Sequence, residues 1–194
     1  AVWKKKDEFQ SFIRNNHPLD QAILIGWAPF AGFKLKEMPI PRQVDCINRL
    51  LKKVPQAFMF LIASPKEKEA LSPFFENKEA LHRILFSGDW TSGLEEEFAL
   101  IQELDLLVSM DSGNMHLGAL LGIKVLGIYG TTHPYLGFFP YLQRQSGTLG
   151  LESLSCRPCT VFGDGNCYRG DFACMNLLDE QDLIQRILHS LPTF

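Results

Sequence analysis

Five short apolar runs alternate with segments of helical period, and this alternation is what most constrains the fold. The runs cover residues 22–27, 57–63, 83–86, 105–110 and 124–129. Each is short and continuously apolar, as expected of strands buried on both faces. Between them, Val44, Ile47, Leu50, Leu51 and Val54 recur at spacings of three and four and mark one face of a helix. Pro41 suits that helix's first turn and Pro55 stops it. The spacing predicts further helices over 65–77, with Ser64 as N-cap, and over 94–104, with Leu94, Phe98, Ile101 and Leu104 inward. The segment 112–121 is apolar nearly all round and is expected to be buried. Residues 180–191 carry an amphipathic helix, and 1–20 a leading helix with Phe9, Phe12 and Ile13 on one face. Strand–helix alternation of this kind implies an α/β fold: a Rossmann-like parallel sheet with helices on both faces. Residues 131–178, with turns, aromatics and cysteines, fall outside the pattern.

Composition narrows the function classes. The chain has 194 residues, a fit for one domain. At 46% hydrophobic it carries too much apolar content for disorder. Lys plus Arg is 19 against Asp plus Glu 22, so there is no basic surplus to neutralise a phosphate backbone, and no nucleic-acid partner is expected. No apolar run approaches the roughly 18–20 residues of a membrane span. Residues 1–8 are mostly charged and no apolar stretch follows, so no export signal is expected and the cytoplasm is the expected compartment.

In an open parallel sheet, ligands bind beyond the carboxyl ends of the strands. Three polar loops follow the first, fourth and fifth runs. The first holds Pro29, Phe30, Ala31, Gly32, Lys34 and Lys36; either lysine can meet a phosphate as a point charge, although neither the dinucleotide fingerprint nor a Walker-type motif is present. The second holds Asp111, Ser112, Gly113, Asn114 and His116. There a helix opens with free amides that favour an anion, and His116 falls one turn after Ser112. On these residues alone, Asp111 and Ser112 read equally as helix caps and His116 as a core histidine. The third is Gly130-Thr131-Thr132-His133-Pro134. Three such loops on one rim favour a binding site.

Together these loops resemble glycosyltransferase family 9, the ADP-heptose–lipopolysaccharide heptosyltransferases. The resemblance rests on Val108-Ser109-Met110-Asp111-Ser112-Gly113-Asn114-Met115-His116-Leu117, on Ala28-Pro29-Phe30-Ala31 with Lys36 before Met38-Pro39, and on Tyr129-Gly130-Thr131-Thr132-His133-Pro134. A block containing Cys156-Arg157-Pro158-Cys159, Cys167 and Cys174 is also similar. The resemblance implies the C-terminal, donor-binding half of a GT-B enzyme, spanning 1–194, with a leading helix at 1–20, a Cys-rich segment at 150–178 and the N-terminal acceptor domain absent. It implies inverting transfer of a heptose-like sugar from a nucleoside diphosphate, ADP-heptose in the family. The acceptor would be a lipopolysaccharide or other envelope glycan, reached through the missing domain, where the catalytic base is also expected. The enzyme would sit in the cytoplasm, at or near the inner face of the membrane.

The donor-binding residues implied are Pro29, Phe30, Ala31, Lys36 with Lys34 as second candidate, Asp111, Ser112, Gly113 and His116. The nucleoside side is assigned to Thr91, Ser92 and Leu94. Two other readings stay open. One is a non-catalytic nucleotide-binding or zinc-stabilised interaction module; the other is a sugar-nucleotide epimerase of GT-B architecture. No cofactor is required by the reaction. Cys156, Cys159, Cys167 and Cys174, spaced C-x2-C-x7-C-x6-C, suit a structural zinc, buried free thiols or disulfides, and the spacing does not choose among them.

Overall fold

The computed structural model describes residues 3–16, 21–77, 80–143 and 147–192. Six strands form one parallel sheet: β1 (Ile23–Ala28), β2 (Ala57–Leu61), β3 (Ile84–Phe86), β4 (Leu106–Met110), β5 (Val125–Tyr129) and β6 (Thr148–Gly150). Their order is β3-β2-β1-β4-β5-β6. All five expected strands are present within a residue or two of their expected ends. β6 escaped the pattern because three residues, Thr148, Leu149 and Gly150, are too few to show a period.

The helices are α1 (Lys6–Asn16), α2 (Ile40–Lys53), α3 (Ser87–Trp90), α4 (Leu94–Ile101), α5 (Gly113–Leu120), α6 (Ala173–Asn176) and α7 (Glu180–Ser190). The leading helix is thus confirmed over Lys6–Asn16; residues 1, 2 and 17–20 lie outside the described residues. One core layer packs α2 and α7 against the sheet through Ile47, Leu50, Leu51, Leu183 and Ile187. The opposite layer packs α1, α4 and α5 through Phe9, Ile13, Leu100, Ile101 and Met115. Each such fully buried side chain contributes about 1.5–3 kcal/mol.

Three helix expectations need correction. Over 65–77 the chain forms 3-10 turns, Pro65–Glu67 and Glu69–Phe75, rather than an α-helix. Ser64 does cap the first, in a reciprocal capping box with Glu67, but Pro73 has no N–H to continue an α-helical ladder. In α4, Leu94 is exposed rather than inward, and Glu96 is the buried residue of that turn. Glu96 turns in because Ser92 donates to it from both its backbone N and its Oγ, each at 2.8 Å. The expected burial of α5 is also only partial: Met115, Gly118 and Ala119 are buried, while Leu120 is exposed.

Candidate functional site

The sheet changes direction between β1 and β4, which pair with each other and then run outward to β2 and β5. The crevice beyond their carboxyl ends is therefore the position where such sheets bind ligands. Lys36 leaves the loop after β1, and Asp111 directly follows β4. They meet across this crevice with Lys36 Nζ 3.0 Å from Asp111 Oδ2. Their side chains are 12% and 2% exposed, so the pair is shielded from water on most sides. Thr132 Oγ1, from the loop after β5, donates to the same Asp111 oxygen at 2.6 Å. The ring of Phe138 lies 5.5 Å from the Lys36 ammonium. The three loops singled out from sequence thus converge on one carboxylate oxygen.

The alternative of helix caps is resolved by this geometry. Ser112 occupies the N-cap position of α5, but its side chain makes no capping bond and lies 3.2 Å from Ser109 Oγ. Asp111 serves Lys36 and Thr132 rather than the helix. Met115 N turns back to Ser112 O at 3.2 Å, while the first two amides of α5, those of Gly113 and Asn114, have no partner within the helix. A Cβ built at Gly113 meets nothing within 4 Å, so the mouth is open there. His116 is half-buried one turn on, and its ring makes no hydrogen bond among the described residues.

Of the first loop, Pro29 and Ala31 frame the turn through backbone groups: Gln43 donates to Pro29 O at 3.1 Å, and Ala31 N donates to Glu37 at 3.1 Å. Phe30 packs on the core. Lys34 is placed apart from Asp111. Its side chain is 82% exposed and its ammonium is bound to Glu37 at 2.7 Å. The 3-10 turn Lys34–Lys36 is responsible, because it sends the two lysines in different directions.

Thr91, Ser92 and Leu94 gather at the other end of the rim, around a 390 Å³ cavity beyond β2 and β3. Two further residues of this cavity were not singled out from sequence. Ser87 is buried, and its Oγ is a side-chain polar atom without a hydrogen-bond partner among the described residues. Glu97 lines the same cavity, and burial, with Glu67 nearby, pushes its carboxyl above the usual carboxylate range. The available sequence signal was position: Ser87 directly follows β3, as Lys36 and Asp111 follow theirs.

The four clustered cysteines are free thiols. Burial pushes Cys174 up to about 11, with the other three close enough to add to the shift. Among the described residues, no group of three or more His, Cys, Asp or Glu is arranged to hold a metal ion. Among the described residues, no helix is long and apolar enough to cross a membrane.

Solved structures share this architecture. The glycosyl transferase family 9 protein from Veillonella parvula matches with TM-score 0.71 and 19% identity, over 98% of this chain and 52% of that one. E. coli ADP-heptose lps heptosyltransferase II matches with TM-score 0.67 and 18% identity, over 95% of this chain and 51% of that one. E. coli heptosyltransferase WaaC with ADP gives TM-score 0.63 and 19% identity, over 92% and 47%. The chain spans about half the length of these solved relatives. A search of curated proteins gave no match. Sheet order and these likenesses define the class, a Rossmann-like α/β domain of GT-B type. The particular family follows from a match over residues 27–166: the chain belongs to glycosyltransferase family 9 (heptosyltransferase).

Proposed function

We propose that the chain is the donor-binding domain of an inverting glycosyltransferase that takes a heptose-like sugar from a nucleoside diphosphate, with ADP-heptose as the donor class. The observation that carries this reading is the Lys36–Asp111 pair beside the open N-terminus of α5, at the switch point of the sheet. A solved relative described as holding ADP supports the choice of nucleotide.

An acceptor hydroxyl attacks the anomeric carbon, the bond to the diphosphate breaks, and negative charge grows on the leaving phosphate. Lys36 and the first amides of α5 stabilise that charge more strongly as it develops. Asp111 accepts hydrogen bonds and so takes sugar hydroxyls rather than phosphate, while holding the lysine in place beforehand. His116 donates to the phosphate side from one turn deeper. The nucleoside lies toward the Ser87–Glu97 cavity, where its donor groups give both residues the partners they lack. A second domain supplies the acceptor, a lipopolysaccharide or other envelope glycan, and the base that takes the hydroxyl proton. The reaction takes place in the cytoplasm, at or near the inner face of the membrane. No resident metal takes part, and a structural zinc on the four cysteines is not needed for this chemistry.

The test uses calorimetry and a transfer assay. The 194-residue chain is expected to bind ADP without transferring sugar, and a full-length enzyme to do both. Transfer by the isolated chain overturns the division of labour, and absence of ADP binding overturns the donor assignment.

A further inference from the structure

Four consecutive carbonyls, starting at the last residue of β5, all receive donors from a single strap of the Cys-rich segment. Arg157 Nη2 donates to Tyr129 O at 3.0 Å and to Thr132 O at 3.1 Å, and its Nε donates to Gly130 O. The backbone N of Cys159 donates to Thr131 O at 2.8 Å. With every carbonyl engaged, the loop has one register available to it. The Arg157 side chain is 2% exposed, and its nearest carboxylate, Glu152, stands 3.4 Å away and is itself 68% exposed. The buried guanidinium is thus spent mainly on backbone, in a fork that one lysine ammonium does not reproduce. β6 leaves room for it: a Cβ at Gly150 would come within 2.5 Å of Nη2.

The same loop reaches both members of the charged pair. Thr132 donates to Asp111, and Thr131 Oγ1 donates to Leu35 O at 3.2 Å, next to Lys36. Further along the strap, Gly163 lies against the Lys36 stem. A Cβ there would sit 2.4 Å from Lys36 Cγ and Cδ, and its φ of +77° favours glycine in any case. We infer that the strap formed by residues 156–163 sets the geometry of the Lys36–Asp111 pair, with Arg157 as its positioning residue. Arg157 acts through Thr132 and does not touch the ligand. This deepens the proposed function and rests on Lys36 meeting the diphosphate.

The test compares Arg157→Lys, Thr132→Val and the double variant in this chain, by calorimetry with ADP and with adenosine. A ligand-free readout is the ¹⁵N resonance of the Lys36 ammonium in labelled protein. Arg157→Lys is expected to shift that resonance and to weaken ADP about tenfold, the scale of a displaced charged hydrogen bond, while adenosine stays within about twofold. The double variant is expected to be no worse than the weaker-binding single one, because both act along one path. An unmoved lysine resonance, equal losses for ADP and adenosine, or additive losses overturn the inference. If Arg157→Lys does not fold, Thr132→Val decides alone, since it removes only a hydroxyl: a shifted lysine resonance supports the strap and an unshifted one overturns it. If the wild-type chain fails to bind ADP, the proposed function falls, while the ligand-free resonance still judges the strap.

Discussion

The two halves of the rim are built in opposite ways. At the β1–β4 crevice, each charge already has a partner: Lys36 has Asp111, Asp111 also has Thr132, and the strap holds the loop that carries Thr132. At the β2–β3 end, Ser87 has no partner among the described residues, and Glu97 bears the cost of burial. Under the proposed function, the difference fits what each half would bind. A diphosphate brings its own charge, and a lysine left unpaired near the interior would be costly while waiting for it. A nucleoside brings neutral donors, and one orphan hydroxyl is a cheaper state to hold open. On that proposal, one half is satisfied in advance and would exchange partners, and the other would gain partners on binding.

The largest effect that would break this contrast comes from Lys36→Ala. It leaves Asp111 buried without its cation, a loss of about 3 kcal/mol of folding stability for a pair this shielded. In the fraction that folds, ADP affinity is expected to fall at least tenfold while adenosine is retained. Thermal unfolding and calorimetry read the two effects separately. Equal losses for both ligands would place Lys36 away from the phosphates.

Next is Ser87→Ala. Since the hydroxyl has no partner among the described residues, its removal is expected to leave the melting temperature unchanged or slightly raised. Adenosine affinity is expected to fall about threefold to tenfold, the value of one neutral hydrogen bond. A drop in stability without a drop in adenosine binding would make Ser87 a packing residue. Glu97 adds a pH signature. Its carboxyl is held above the ordinary range, so folding gains from its protonation at low pH, and that gain disappears as pH rises through the raised value. Binding that uses the carboxylate runs the other way and weakens as pH falls through the same window. Glu97→Gln is expected to abolish both trends, measured by adenosine titration and by melting across the acid range.

Asp111→Asn gives a smaller effect of opposite sign. The amide still accepts from Thr132 but no longer neutralises Lys36. Inorganic pyrophosphate is expected to bind about threefold or more tighter, since Asp111 no longer competes as a charge for the shielded lysine. Sugar transfer by the full-length enzyme is expected to fall despite the tighter anion binding. If pyrophosphate binding weakens instead, Asp111 is organising the lysine more than it competes with ligand.

This contrast also explains how much was readable beforehand. The strands were legible because a doubly covered sheet requires continuous apolar runs, and Phe58, Met59, Phe60 and Leu61 of β2 are all buried. The convergence on Asp111 was legible because the residues after parallel strands share a rim. The choice of Lys36 over Lys34 was legible only as a preference, because a 3-10 turn decides it and such turns leave little trace in sequence. Ser87 was marked only by its position after β3, since a missing partner is a property of three-dimensional packing. Arg157 was visible only as one residue in a cysteine block. Its task depends on three carbonyls from 25 to 28 positions earlier, and no spacing rule encodes that.

The smallest effects should come from the cysteines, and they test whether the strap serves only the charged half. Burial pushes Cys46 up to about 12 and Cys174 to about 11, so both stay protonated at neutral pH. The thiolate is the reactive form, so both are expected to label slowly in the native chain, while denaturant releases all five thiols. Cys159 is raised by burial as well, but its burial is shallower, and it should label before Cys174. Its backbone N–H holds Thr131 O, so alkylation there strains the strap at the point where it meets the loop. ADP affinity is then expected to change by about twofold, with adenosine unaffected. Metal analysis belongs beside the thiol count. One metal per chain with four protected thiols would mean that Cys156, Cys159, Cys167 and Cys174 close around an ion and stiffen the strap. Chelation should then weaken ADP and spare adenosine, since the strap holds the loop that carries Thr132 and lies against the Lys36 stem, away from the residues of the Ser87 cavity.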